Sequence, residues 1–144
     1  MCGRFVIAKT TDMITELFEI DELETDSDFR SFNVPPTTQI PMIVEREIDG
    51  MPSRQLHSAR WGLIPSWAKE VSTTPLINAR IESVLDKPSF QESALAKRCA
   101  IPADGYFEWQ STIADSKVPY FIYPSEGMLA FAGIYSWWRN PAKT

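Results

Sequence analysis

Cys2 is the residue whose position carries the most chemistry. It becomes the N-terminus once Met1 is removed, as is expected when the second side chain is small. It then bears an α-amino group with a pKa of about 7.7–8.0 and a thiol with a pKa of about 8.5, both partly nucleophilic near neutral pH. Such a 1,2-aminothiol can condense with an aldehyde through nitrogen and then close a five-membered thiazolidine through sulfur. No internal cysteine can do this. The same residue could attack a carbonyl as a thiolate, as N-terminal nucleophile hydrolases do. The plainest alternative is a small residue entering a strand.

Other residues could serve the same chemistry. Gly3 would let a ligand or another backbone approach closely. Arg4 could hold a phosphate oxygen and favour a thiolate beside it. In Pro75-Leu76-Ile77-Asn78-Ala79-Arg80, an amide and a guanidinium stand two residues apart, on one side of an extended segment. Asn78 can donate and accept, and Arg80 can clamp a phosphate or carboxylate. Asp104-Gly105-Tyr106-Phe107-Glu108-Trp109 sets a carboxylate among aromatics, where desolvation favours a protonated general acid. An exposed glutamate alternating with buried rings is the competing reading. Trp61 and Trp67, with Pro65 between them, could offer flat faces to unstacked bases or belong to the core. His57, the single histidine, and Cys99 read as structural.

The elements that must position these groups follow from pattern. A first strand runs over residues 2–7. Thr10 and Thr11 can cap a helix that places Met13, Ile14, Leu17 and Phe18 on one face. Segment 16–28 carries seven acids and no base, as a solvated helix end and loop would. The prolines at 35 and 36 make 31–38 an extended loop. Strands are expected at 40–47 and 55–61 around an Asp49-Gly50 turn. A helix over 89–96 would bury Phe90 and Leu95. A hairpin pairs 106–110 with 120–123, and a last apolar strand covers 128–138. The whole reads as one α+β domain over residues 1–144, a mixed, mainly antiparallel and barrel-like sheet core with a few short helices.

Composition narrows the classes. With 144 residues and 44% apolar content the chain can build one real core. Two cysteines and one histidine, without metal-ligand spacing, predict no metal site. No run of about 18 apolar residues predicts a membrane span, and no N-terminal signal segment stands out. The expectation is a reduced, cytoplasmic monomer without cofactor. The formal net charge of -5 hides an uneven distribution: outside the acidic segment, 14 bases face 12 acids. A local basic groove for nucleic acid therefore remains open.

Together, M-C-G-R-F, F-N-V-P-P-T, R-W-G-L-I-P-S-W, P-L-I-N-A-R-I-E, R-C-A-I-P-A-D-G-Y-F-E-W and P-Y-F-I-Y closely resemble the SOS-response-associated peptidase family, whose members are also described as abasic-site processing proteins. The resemblance covers essentially the whole chain. It implies capture of the ring-opened aldehyde of an abasic site in single-stranded DNA by processed Cys2, giving a thiazolidine crosslink. It also implies that Asn78 positions the sugar or nucleophile and that Glu108 assists proton transfers. Arg4 and Arg80 would hold flanking phosphates, Trp67 would wedge the DNA, and Asn33 would line the groove. A lyase side reaction through the imine and self-cleavage after Met1 fit the same residues. A cysteine peptidase and a non-catalytic single-stranded DNA-binding fragment are the alternatives. The family pattern continues into a C-terminal portion with a catalytic histidine in an H-x-R-x-P-like segment. The chain stops before it, His57 lies in a different motif, and a C-terminally truncated domain is expected.

Overall fold

The structure, a computed structural model, describes residues 2–113 and 116–140. Two open sheets carry the fold. The first has the order β3-β1-β7-β8, from β3 (Ser31–Val34), β1 (Phe5–Ile7), β7 (Gly105–Ser111) and β8 (Lys117–Ile122). The second has the order β2-β5-β4-β6-β9, from β2 (Glu22–Leu23), β5 (Met51–Arg60), β4 (Gln39–Ile48), β6 (Arg98–Ala103) and β9 (Leu129–Ile134). All pairings are antiparallel except β2 with β5. The two sheets stay separate among the described residues and close no barrel. The helices are α1 (Thr11–Leu17) and α2 (Pro88–Ala96).

The longest ladder is also the most local. β4 and β5 pair from Gln39↔Arg60 to Ile48↔Met51. Asp49 and Gly50 both take positive φ, 52° and 79°, as a two-residue hairpin turn compatible with strand twist requires. In contrast, β3 forms where the sequence suggests a loop. Residues 31–34 pair with β1 (Phe5↔Val34, Ile7↔Ser31) just before the prolines interrupt the ladder.

The core gathers both sheets and α1: Phe5, Ile7, Ile14, Phe29, Val34, Ile40, Ile43, Leu56, Trp61 and Ala103. Burying a side chain of this size contributes about 1.5–3 kcal/mol. Thr10 caps α1 by accepting from the Met13 N–H at 3.3 Å. Ile14 and Phe18, four residues apart, face the core. Met13 and Leu17 form the adjacent stripe and remain exposed, contrary to expectation. In α2, Phe90 and Ser93 are buried three residues apart. Leu95 stands two residues past Ser93, well around the helix, and is exposed rather than buried.

All seven acids of segment 16–28 are exposed. Arg54 holds two of them, its side chain donating to Glu19 at 3.2 Å and its backbone N–H to Asp21, while the guanidinium also donates to Phe18 O at 3.0 Å and to Glu45 at 3.2 Å. β9 ends at Ile134, so Trp137 and Trp138 lie beyond the strand that was expected to hold them. Trp138 Nε1 donates to Ala68 O at 2.7 Å, and Trp137 meets the His57 ring edge-on at 6.3 Å. No helix among the described residues is long and apolar enough to cross a membrane.

Candidate active site and nucleic-acid interface

β1 sets the position of the N-terminal residues. It is fully buried and bonded on both edges, to β3 and to β7. Its far end is tied by Asp104, at the β6–β7 junction. The Asp104 carboxylate accepts from the Ala8 N–H at 2.6 Å, the Lys9 N–H at 3.2 Å and Lys9 Nζ at 2.5 Å. Burial alone would raise the Asp104 pKa. The bonds from Lys9 and Ala8, with the Lys9 charge, outweigh it and hold the carboxyl below its ordinary value. No local sequence signal marks Lys9, which lies 95 residues from its partner.

Ahead of β1, Arg4 O accepts from the Phe107 N–H at 2.9 Å, which draws Cys2–Arg4 along the start of β7. Cys2 is half-buried and packs against the core. Its thiol donates to Arg4 O at 3.3 Å, and its carbonyl accepts from Asn78 Nδ2 at 2.8 Å. Burial raises the thiol pKa above its ordinary value, and the negative charge of Glu108 pushes it the same way. Glu108, half-buried on β7, is thus an electrostatic neighbour of the sulfur. Met1, whose removal the aminothiol chemistry requires, lies outside the described residues.

Arg4 does not sharpen the thiolate as its position suggested. Its guanidinium turns outward and donates from Nη1 to Asn33 Oδ1 at 3.0 Å, so Asn33 reaches the site from β3 rather than from a loop. Gly3 has open space where a Cβ would stand, so packing does not require glycine there. Asn78 joins Cys2 directly. Arg80, two residues on, is exposed and makes no side-chain hydrogen bond or ion pair to another described residue. The structure therefore brings together Cys2, Arg4, Asn33, Asn78 and Glu108, and leaves Arg80 at the margin.

The two tryptophans separate. Trp61 is a core residue, edge-on to Phe5 at 5.1 Å with Nε1 donating to Ile77 O at 3.0 Å, and offers no face to a base. Trp67 is 63% exposed. Trp109, next to Glu108, is also exposed, where strand alternation had suggested burial. Cys99 behaves as a small interior residue, with burial pushing its thiol up to about 11. His57 is part-buried beside Gln55 at 3.3 Å, and desolvation lowers its pKa, with the Arg46 charge adding to this.

A thiol just ahead of a buried strand, with an amide on its carbonyl and a carboxylate whose charge acts on it, makes a candidate nucleophile site. The chain belongs to the SOS response associated peptidase family, whose profile matches residues 1–144. It is 41% identical over 144 residues to abasic site processing protein YoqW of Bacillus subtilis (strain 168), covering 98% of this chain and 62% of that protein. The abasic site processing protein HMCES of Gallus gallus is 34% identical over 140 residues, covering 77% of this chain and 41% of that protein. A crystal structure of a protein from Bacteroides thetaiotaomicron superposes with a TM-score of 0.83 at 27% identity, over 99% of this chain and 63% of that one. The chain thus spans less than two thirds of the length of these relatives.

Proposed function

We propose that the chain processes abasic sites in single-stranded DNA, capturing the opened sugar through Cys2. The observation that carries this reading is the Cys2 cluster: Asn78 on its carbonyl and Glu108 beside its thiol. With Met1 removed, the Cys2 nitrogen adds to the C1′ aldehyde and water leaves, giving an imine. The thiol then adds across C=N: sulfur bonds to C1′, and the thiol proton ends on nitrogen. The product is a thiazolidine that holds DNA and protein together, with no change of oxidation state. In this reading Glu108 relays protons during ring opening and imine formation. Asn78 fixes the Cys2 backbone so that both nucleophiles face one carbon.

Arg4 and Arg80 supply cationic contacts for phosphates on either side, Asn33 orients Arg4, and Trp67 offers an exposed ring for an unstacked base. The alternative, a cysteine peptidase, would attack a carbonyl through the Cys2 thiolate. The same imine would permit β-elimination of the 3′ phosphate as a side reaction.

The test is incubation with a single-stranded oligonucleotide containing one abasic site, followed by denaturing electrophoresis. A shifted band is expected, absent for Cys2→Ala and for protein that retains Met1. A well-folded, processed protein that gives no band refutes the reading.

A further inference from the structure

Asn78 reaches the Cys2 carbonyl from a stretch of irregular chain. Among the described residues no helix or strand lies between β5, which ends at Arg60, and α2, which begins at Pro88. The placement of Asn78 therefore has to come from other parts of the molecule. Two bonds reach the residues just ahead of it. Leu63 N–H donates to Leu76 O at 2.9 Å, and Trp61 Nε1 donates to Ile77 O at 3.0 Å.

Trp61 is a fixed point. Its backbone N–H donates to Thr38 O at 2.9 Å, and its carbonyl accepts from the Thr37 N–H at 2.8 Å. Its ring is buried and stands edge-on to Phe5 of β1 at 5.1 Å. Contacts thus close a loop. The chain runs from Cys2 to Phe5, Phe5 packs on Trp61, Trp61 bonds Ile77, and Asn78 returns to Cys2. The ring cluster also extends toward the carboxylate. Phe131 meets Phe5 at 5.8 Å and Tyr106 at 5.7 Å, and Tyr106 shares one face of β7 with Glu108.

We infer that Trp61 is a positioning residue for capture at Cys2, its indole N–H setting Asn78 against the Cys2 carbonyl. The inference rests on the abasic-site reading above and adds to it a residue that acts through another. Residence in the core does not account for the bond. A phenylalanine ring would fill much of the same interior, whereas a buried indole N–H needs an acceptor. Here the acceptor is the peptide oxygen next to Asn78. That oxygen and the Asn78 Cα belong to one planar peptide unit, so a bond to the oxygen orients the plane from which the Asn78 side chain departs. The far side of the same ring rests on the strand that carries Cys2. One side chain therefore sets both partners of the Asn78–Cys2 contact.

The test compares the unsubstituted chain with Trp61→Phe, which keeps an interior ring and removes the donor. Single-turnover crosslinking to a single strand with one abasic site is followed by denaturing electrophoresis across DNA concentrations. Trp61→Phe is expected to lower the rate at saturating DNA about tenfold and to leave the half-saturating concentration within about twofold. In an Asn78→Ala background the same substitution should lower the rate no further, because both act at one contact. A merely structural role would reduce the fraction of protein that reacts and not the rate of the part that does. An unchanged saturating rate overturns the inference, as do losses that multiply in the double variant. Where Trp61→Phe does not fold, Phe5→Leu loosens the ring from its other side and the same comparison applies.

The Asn78 side-chain amide resonances, assigned by their absence in Asn78→Ala, give a readout independent of the reaction. They should move toward free-amide positions in Trp61→Phe, and unmoved resonances overturn the inference. If the unsubstituted chain never crosslinks while those resonances do move, the capture reading fails and the positioning role of Trp61 stands.

Discussion

β1 and β8 belong to one four-stranded sheet, and their environments are opposite. All three residues of β1 are buried, and both of its edges are hydrogen-bonded. All six residues of β8 are exposed, and among the described residues only β7 pairs with it. β8 nevertheless carries apolar residues, and Phe121 continues an aromatic row from Phe107 at 5.0 Å to Tyr123 at 5.5 Å. The comparison shows where this chain invests its rigidity. Cys2, the candidate nucleophile, hangs from the strand that the core over-determines, while the apolar strand two places away contributes little to that core. A reacting group must be held within fractions of an ångström of its target, so the buried strand is the physically sound mount.

The sharpest way to break this contrast is to cut into β1. Ile7 is 0% exposed, and Ile7→Ala is expected to cost about 3 kcal/mol of unfolding free energy. Val6→Ala, at 5% exposed, should cost about 2 kcal/mol. Urea titration followed by tryptophan fluorescence measures both. A loss below about 1 kcal/mol for Ile7→Ala would mean that β1 is not the anchor of the site.

Gly105 is where the two regions meet, since it pairs with Val6 and is pressed against β8. A Cβ there would stand 2.5 Å from the Phe121 ring and 2.7 Å from Ile122 O. Backbone cannot swing aside as a side chain can, so Gly105→Ala should cost about 2 kcal/mol. It should also expose β8 to limited proteolysis before the Cys2 region. Simultaneous cleavage of both regions would show that β8 is as integral to the sheet as β1.

The Asp104 clamp ties the end of β1 in a pH-dependent way. Its folded pKa lies below the ordinary carboxylate value, so its stabilisation is complete above the unfolded value of about 3.9 and is lost as pH falls through the folded value. Asp104→Asn should cost about 1 kcal/mol at pH 7 and nothing further in acid. The wild-type and variant stability curves are therefore expected to converge as pH falls through that range. Parallel curves would show that the clamp does not titrate with folding.

These contrasts were unevenly legible in the sequence. The β4–β5 hairpin was, because Asp49-Gly50 and the flanking strands all act within the one stretch 39–60. The Cys2, Asn78 and Glu108 grouping was legible as motifs, though not its geometry: the bond from Asn78 to Cys2 joins residues 76 apart in the chain. β3 and β2 were not, because each is made a strand only by its partner, β1 or β5. The exposures of Leu95 and Trp67 and the burial of Trp61 depend on which side of each segment meets the core. Residue type alone favours burial for all three. The outward turn of Arg4 likewise follows from Asn33 arriving on β3, which no local pattern announces.

The smallest expected effect is the most discriminating. Val118 on β8 and Val6 on β1 are the same residue in the same sheet, 42% and 5% exposed. The truncation to alanine removes identical atoms, so intrinsic strand propensity nearly cancels between them. What remains is the burial difference. Val118→Ala should therefore change stability by about 0.5 kcal/mol or less, against about 2 kcal/mol for Val6→Ala. If the two losses are equal, β8 is covered in solution. Repeating the titration across a hundredfold range of protein concentration then tells whether the cover is a second copy: a Val118→Ala loss that shrinks on dilution requires self-association through β8.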